Sequence, residues 1–363
     1  MSISIREFLK AAPSDRHVRL LGAMRLIRGA LGLADAQPPQ SQLPVAPVAA
    51  PVPVLKPAMR MDVSIQPRPA SFTEHVFMFG DEGYAYRLYL PAMAAPDSQS
   101  LSPLPLVVML HGCKQDAADF AQGTGMNALA GEKDCIVLYP EQSSRANPMR
   151  CWNWFEPANQ DKEAGEAAMI AALTQQVLQN HDADPGRVYI AGLSAGGAMA
   201  ATVAGLYPEL FSAVGVHSGI PTGAASNIVA AFSAMRRGAH RSTLAQEQDS
   251  GMPTIVFHGS ADTTVHPGNG DQIADSALAA LAASGLVLEK IQRTEESQVS
   301  TDPRRSALRT IYSAANGKSY VEHWSIESGP HAWSGGSEAG SFTDPQGPGA
   351  SLAMLEFFLQ HRQ

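Results

Sequence analysis

Arg187-Val188-Tyr189-Ile190-Ala191-Gly192-Leu193-Ser194-Ala195-Gly196-Gly197-Ala198-Met199-Ala200-Ala201 decides how the rest of the chain is read. Its first five residues form a short, β-branched and apolar run, and its last five are small residues that suit a tightly packed helix. Between them lies a G-x-S-x-G pentapeptide, which predicts a strand, a sharp turn and a helix. Such a turn holds the Ser194 hydroxyl exposed at a helix N-terminus, where backbone N–H groups can receive developing negative charge. Gly192 and Gly196 are required because a side chain at either position would crowd the turn.

Strands alternate with helices on both sides of this turn. Leu106–Leu110, Ile136–Tyr139, Val188–Ala191, Ala213–Val216 and Thr254–Phe257 are short continuous apolar runs, as strands of a parallel sheet covered on both faces must be. Thr73–Phe79 and Tyr84–Leu90 alternate instead, flank Asp81-Glu82-Gly83 and predict a hairpin. Helical stretches are expected at Ala164–Gln179, Ala195–Leu206, Asp271–Ala283 and Ser351–Leu359. The pattern is that of a doubly wound, mostly parallel α/β sheet with antiparallel N-terminal strands, whose site lies at the carboxyl ends of the strands.

Those strand ends carry the chemistry. Leu110 is followed by His111-Gly112-Cys113-Lys114-Gln115, a loop whose backbone can approach a reacting group; the N–H of Cys113, with that of Ala195, is expected to form an oxyanion hole. Phe257 is followed by His258-Gly259-Ser260-Ala261-Asp262, which makes Asp262 the candidate acid, ahead of Asp271 farther along the chain. His331, in Gly329-Pro330-His331-Ala332 after the strand-like run Tyr320–Ile326, is the candidate base. The order Ser194, Asp262, His331, each beyond a strand, is the order in which the α/β-hydrolase fold supplies nucleophile, acid and base. His111 and His258 precede glycines at strand ends and are read as loop-holding residues. The Cys151-Trp152-Asn153-Trp154-Phe155 cluster could wall an apolar pocket, with Trp154 the expected substrate contact.

Composition narrows the function. With 26 Lys plus Arg against 34 Asp plus Glu, the chain has no cation excess to neutralise phosphates, which argues against nucleic-acid binding. Three cysteines are too few for a disulfide scaffold and have no metal-ligand spacing. Cys135, in a strand-like run, is read as a core thiol, whereas Cys113 and Cys151 could pair. Residues 1–33 read as an amphipathic helical segment with Arg19, Arg25 and Arg28 among Leu20, Met24, Ile27 and Leu31, suited to packing on a partner or resting on a granule surface. Residues 34–70 are a Pro/Ala-rich linker, and 71–363 the catalytic domain. No uninterrupted apolar leader or membrane span is read at the N-terminus, so the expectation is a cytoplasmic protein, which a Cys113–Cys151 bridge would shift toward export. The segment 221–251 reads as a mobile cap.

The stretch from Phe72 to Phe358 resembles the poly(3-hydroxybutyrate) depolymerase family of esterases, which is itself similar to some feruloyl and acetyl xylan esterases. The blocks that carry the resemblance are His111–Gln115, Tyr139-Pro140-Glu141-Gln142, Cys151–Phe155, Val188–Ala200, Gly329-Pro330-His331-Ala332-Trp333-Ser334-Gly335-Gly336 and Ser341-Phe342-Thr343-Asp344-Pro345. The resemblance implies Ser194 as nucleophile, Asp262 as acid, His331 as base, a covalent acyl-enzyme and no cofactor. Within its blocks, Gln142 and Trp333 join Trp154 as expected substrate contacts. The expected substrate is a hydroxyalkanoate-type ester, with a feruloyl or acetyl xylan-type ester as the alternative. A non-catalytic granule-binding protein is the reading from another class. Since no separate substrate-binding module is read in the chain, an oligomer, short ester or amorphous granule is expected rather than crystalline polymer.

Overall fold

The apolar runs become the middle of one sheet. In the computed structural model the described residues are 68–92, 102–239, 251–296 and 304–363. The amphipathic stretch 1–33, the linker through residue 67 and residues 240–250 of the expected cap lie outside them. The strands are β1 (Ser71–Phe79), β2 (Glu82–Leu90), β3 (Leu104–Leu110), β4 (Ile136–Pro140), β5 (Ala183–Leu193), β6 (Ala213–His217), β7 (Thr254–Gly259), β8 (Glu289–Glu296), β9 (Ser306–Ser313) and β10 (Ser319–Ile326). They lie in the order β1-β2-β4-β3-β5-β6-β7-β10-β9-β8. Strands β4 through β10 in that order are parallel. The hairpin β1-β2 joins β4 antiparallel at one edge.

Helices cover both faces: α1 (Ala117–Thr124), α2 (Met126–Glu132), α3 (Gly165–Asn180), α4 (Ala195–Leu206), α5 (Ile228–Arg237), α6 (Gly268–Ala283) and α7 (Ala350–Phe358). Because side chains alternate along a strand, β3 feeds two cores. Leu106, Val108 and Leu110 pack with Ile170, Leu173, Met199, Val203, Ile273 and Leu281 of α3, α4 and α6. Val107 and Met109 pack on the other face with Phe120, Met126, Met354 and Phe358 of α1, α2 and α7. This two-sided burial explains why the central strands are continuously apolar.

The opposite edge differs from the sequence reading: β10 is followed outward by β9 and β8, both antiparallel. Strand β8 is Glu289-Lys290-Ile291-Gln292-Arg293-Thr294-Glu295-Glu296, and Ile291 and Leu308 of this pair are exposed. An edge strand dense in charge resists pairing with another chain, and for that reason gives no apolar alternation to read. Within the 221–251 segment, Ile228–Arg237 form helix α5, whose first turn is capped by Asn227 Oδ1 accepting from Ala230 N–H at 3.0 Å. No helix among the described residues is long and apolar enough to cross a membrane.

Candidate active site

Strand β5 is paired at Gly192 with Leu110 of β3 and Val216 of β6, so its last residues emerge at the centre of the sheet's carboxyl end. The chain then reverses into α4 through Ser194, at φ 58° and ψ −120°. A non-glycine residue holds such a backbone only when its surroundings over-determine it. Here Ser194 N–H is held by His217 O at 2.9 Å. A Cβ on Gly196 would run into the carbonyl oxygens of Leu110 and His111, and one on Gly192 into the backbone of Gly196.

The three candidate residues meet over this turn. The Oγ–H of Ser194 points to Nε2 of His331 at 2.9 Å, and His331 Nδ1–H donates to Asp262 Oδ2 at 2.7 Å. Asp262 follows β7, and its other oxygen, Oδ1, accepts the N–H groups of Thr264 at 2.9 Å and Val265 at 2.8 Å. Burial pushes this carboxyl up, but hydrogen bonds from His258, His331 and Val265 outweigh it and hold the group well below the usual carboxylate range. Asp262 therefore stays ionised, as an acid that orients and supports an imidazole must. Asp271 is an exposed residue 3.7 Å from His323 and takes no part in the constellation.

The two expected oxyanion donors lie on the loop after β3 and at the start of α4. Ala195 is the first residue of α4, where a helix leaves its N–H without an intrahelical acceptor. The N–H of Cys113 has no hydrogen-bond partner among the described residues, whereas its neighbours are tied down. Gly112 N–H donates to Gln115 Oε1 at 3.0 Å and Lys114 N–H to Met149 O at 2.7 Å. Gln115 Nε2 in turn donates to Ser341 O at 2.9 Å, linking this loop to the segment beyond His331. A disulfide joins Cys113 to Cys151, and Trp152 Nε1–H donates to His111 O at 3.1 Å. The oxyanion loop and the tryptophan loop are thus one cross-linked unit.

The three expected substrate contacts are corrected by their burial. Gln142 is 1% exposed: its Nε2 donates to Glu166 Oε1 at 2.6 Å and Cys151 O at 3.1 Å, and its Oε1 accepts Ser143 N–H at 2.9 Å. Trp333, also 1% exposed, stacks on His217 and donates Nε1–H to Ser351 Oγ at 3.0 Å. Neither side chain has surface left for a ligand; both hold loops at the carboxyl end of the sheet. Trp154, the third expected contact, is also a buried core residue at 5% exposure, with its ring edge-to-face against Phe155 at 5.7 Å.

Two supports were not legible in the sequence. Glu166, in the first turn of α3, is buried and accepts from Gln142, Asn153 N–H at 2.7 Å and Asn153 Nδ2 at 2.7 Å. Burial raises its carboxyl against these hydrogen bonds. His217 stacks on Phe257 and Trp333, and its Nε2 accepts Ser334 N–H at 3.0 Å, tying the end of β6 to the His331 loop. Its position at the carboxyl end of the run Ala213–Val216 was the available signal. His111, read as a loop holder, accepts Gln142 N–H on Nε2 at 3.0 Å.

Burial lowers His111 to about 4 and His217 to about 3, the latter helped by the neighbouring His258 and His331. The unfolded chain, with ordinary histidines near 6.5, therefore binds protons the folded protein refuses. Their stabilising contribution is complete above about pH 6.5 and is lost progressively as pH falls toward 4. The expected result is a melting temperature that drops steadily over that window in calorimetry; a flat profile from pH 7 to pH 4 would contradict it.

The Esterase PHB depolymerase family profile matches residues 84–293. The chain is 33% identical over 232 residues to poly(3-hydroxyalkanoate) depolymerase C of Paucimonas lemoignei, covering 61% of this chain and 53% of that protein. It is 28% identical over 260 residues to poly(3-hydroxybutyrate) depolymerase of Ralstonia pickettii, covering 66% and 51% respectively. The matches span about half the length of these two depolymerases. Feruloyl esterase B of Thermothelomyces thermophilus is 30% identical over 225 residues, covering 58% of this chain and 74% of that protein. Among solved structures, acetyl xylan esterase from Aspergillus awamori superposes with a TM-score of 0.59 at 21% identity, over 80% of this chain and 99% of the other, a likeness of α/β-hydrolase fold. The profile match runs from β2 to β8 through the serine turn and takes in more than half of the chain, which belongs to the Esterase PHB depolymerase family.

Proposed function

We propose that the protein is a serine carboxylesterase acting through an acyl-enzyme on hydroxyalkanoate-type esters. The observation that carries this reading is the continuous hydrogen-bonded line from Ser194 Oγ through His331 to ionised Asp262. In the forward step Oγ attacks the ester carbonyl while His331 Nε2 takes its proton, and the carbonyl oxygen becomes an oxyanion facing the N–H groups of Cys113 and Ala195. Each such donor contributes roughly 3 kcal/mol to the transition state. The tetrahedral adduct collapses as the C–O bond to the alcohol breaks and His331 returns the proton to the leaving oxygen. Water then attacks the acyl-serine, giving its proton to His331, and the acid leaves as Ser194 recovers the proton.

Two observations favour a hydroxyalkanoate over other acyl groups. The relatives named for polyester depolymerisation match over 61% and 66% of the chain. Helix α5 exposes Ile228, Val229 and Phe232, and its Met235 O accepts from His266 N–H at 2.7 Å in the loop that follows Asp262. An exposed apolar face on a helix tied to that loop suits a polyester or its oligomers. The similarity to feruloyl esterase B carries the second reading, a xylan-linked aryl or acetyl ester. The Cys113–Cys151 bridge favours an oxidising compartment over the cytoplasm for this chain.

Product release from matched substrates tests the assignment: a linear 3-hydroxybutyrate trimer, feruloylated xylo-oligosaccharide and acetylated xylo-oligosaccharide. The expected result is a kcat/KM for the trimer about tenfold or more above the others, a difference that pocket contacts of one or two groups supply. Dominant release of ferulate or acetate would favour the xylan-type reading. No release from any ester would favour a non-catalytic granule-binding protein.

A further inference from the structure

Asp262 is touched by two imidazoles. Besides His331, His258 places its Nε2 3.4 Å from the same Oδ2 and 2.9 Å from Val265 O. Both are acceptors, so Nε2 of His258 carries a proton: it donates to Val265 O, and the N–H lies against Oδ2 at electrostatic contact distance. The ring is 2% exposed, and its Nδ1 has no partner. The first turn of α6 closes over that nitrogen: a Cβ on Gly270 would stand 2.9 Å from it. The ring thus cannot swing, and its only polar engagement is with the Asp262 loop.

We propose that His258 is a positioning residue of the triad, fixing the Asp262 carboxylate so that Oδ2 meets His331 Nδ1 in one orientation; this rests on the esterase reading above. A carboxylate can rotate about its Cβ–Cγ bond and is locked only when both oxygens have fixed partners. Oδ1 has the amides of Thr264 and Val265. Oδ2 would otherwise have only His331, which is protonated twice and deprotonated twice in each turnover. A buried, immobile N–H held against Oδ2 keeps the acid in place while the base cycles. That N–H also spreads the carboxylate's charge, tempering the pull of Asp262 on the His331 imidazolium.

The groups facing His258 are Asp262 and His331 from the two loops, His217 from β6, His323 from β10 and, next to His323, Asp271 and Asp275 of α6. Burial lowers both His217 and His323, so neither places a fixed charge beside His258 near neutrality. The line of influence from His258 to the base therefore runs through Asp262.

The test is the pH profile of kcat/KM for a p-nitrophenyl ester in wild type, H258F, H258N and H258Q. A glutamine Nε2 reaches where the imidazole Nε2 lies; an asparagine amide stops short. Without the donor, Asp262 pulls harder on the protonated base, so the acid limb of H258F and H258N should move up by about half a unit to one unit. Their kcat/KM at the plateau should fall about tenfold or more. H258Q should restore the wild-type limb. If H258F does not fold, H258N against H258Q decides, and a displaced limb in H258Q alone overturns the proposal. A loss of rate with the limb unmoved in every variant also overturns it, since stapling Val265 O would produce that. A wild type that hydrolyses no ester overturns the esterase reading and this inference together. An active wild type whose limb is indifferent to residue 258 overturns this inference alone.

Discussion

Ser194→Ala is expected to lower ester turnover by about 10⁴ to 10⁶, with the melting temperature nearly unchanged. Among the described residues the hydroxyl is the nucleophilic group of the site that joins the His331 base, and no neighbouring side chain can take over its attack. Gln115 and His111 are committed to interior hydrogen bonds. The fold should tolerate the change, because alanine keeps the Cβ and the φ of 58° is held by the backbone bond to His217 O rather than by the hydroxyl. Residual activity should remain above the uncatalysed rate, since the donors of Cys113 and Ala195 still stabilise attack by water. Adding His331→Ala to Ser194→Ala should cost little more, as groups that act as a unit do not lose rate additively. Comparable p-nitrophenyl ester hydrolysis in wild type and S194A would exclude Ser194 as the nucleophile.

Asp262→Asn should be nearly as damaging, at about 10⁴ in kcat, although it removes no atom from the framework. Oδ1 of Asp262 accepts two backbone N–H groups, so the asparagine carbonyl must take that place. The NH2 group is then forced to the Oδ2 position, where it faces His331 Nδ1 and His258 Nε2. His331 can meet an N–H only through a bare Nδ1, which moves its proton to Nε2. That proton points at Ser194 Oγ, and the base can no longer accept. A D262N enzyme within tenfold of wild type, measured alongside an unchanged circular dichroism spectrum, would contradict this chain of contacts.

The parts of the architecture that were readable from residues share a physical cause. Strands buried on both faces must be continuously apolar, and the residues just beyond them must line the ligand end of the sheet. That rule located Ser194, Asp262 and His331, the three side chains the structure joins. It fails where burial does not dictate composition. Strand β8 sits at the edge and is dense in charge, so nothing in its pattern sets it apart from a loop.

Gln142 and Trp333 illustrate the second limit. A polar or aromatic residue in a loop at the carboxyl end of a sheet looks the same in sequence whether it faces substrate or supports the loop from behind. Their orientation depends on partners remote in the chain, Glu166 for one and His217 with Ser351 for the other. Glu166 was hidden for the same reason, since a carboxylate in the first turn of a helix ordinarily faces water. Cys113 and Cys151 were legible as the pair that could bridge, Cys135 reading as a core thiol, but whether the bridge forms depends on how two loops remote in the chain meet.

The central claim is a covalent acyl-enzyme on Ser194, and intact-protein and peptide mass spectrometry of acid-quenched reactions with a slowly deacylating p-nitrophenyl ester tests it most directly. The account predicts one acyl group per chain, on the peptide containing Ser194, formed as fast as the burst of p-nitrophenol and absent from S194A. An active wild type that carries no adduct, or carries it on another residue, would contradict it.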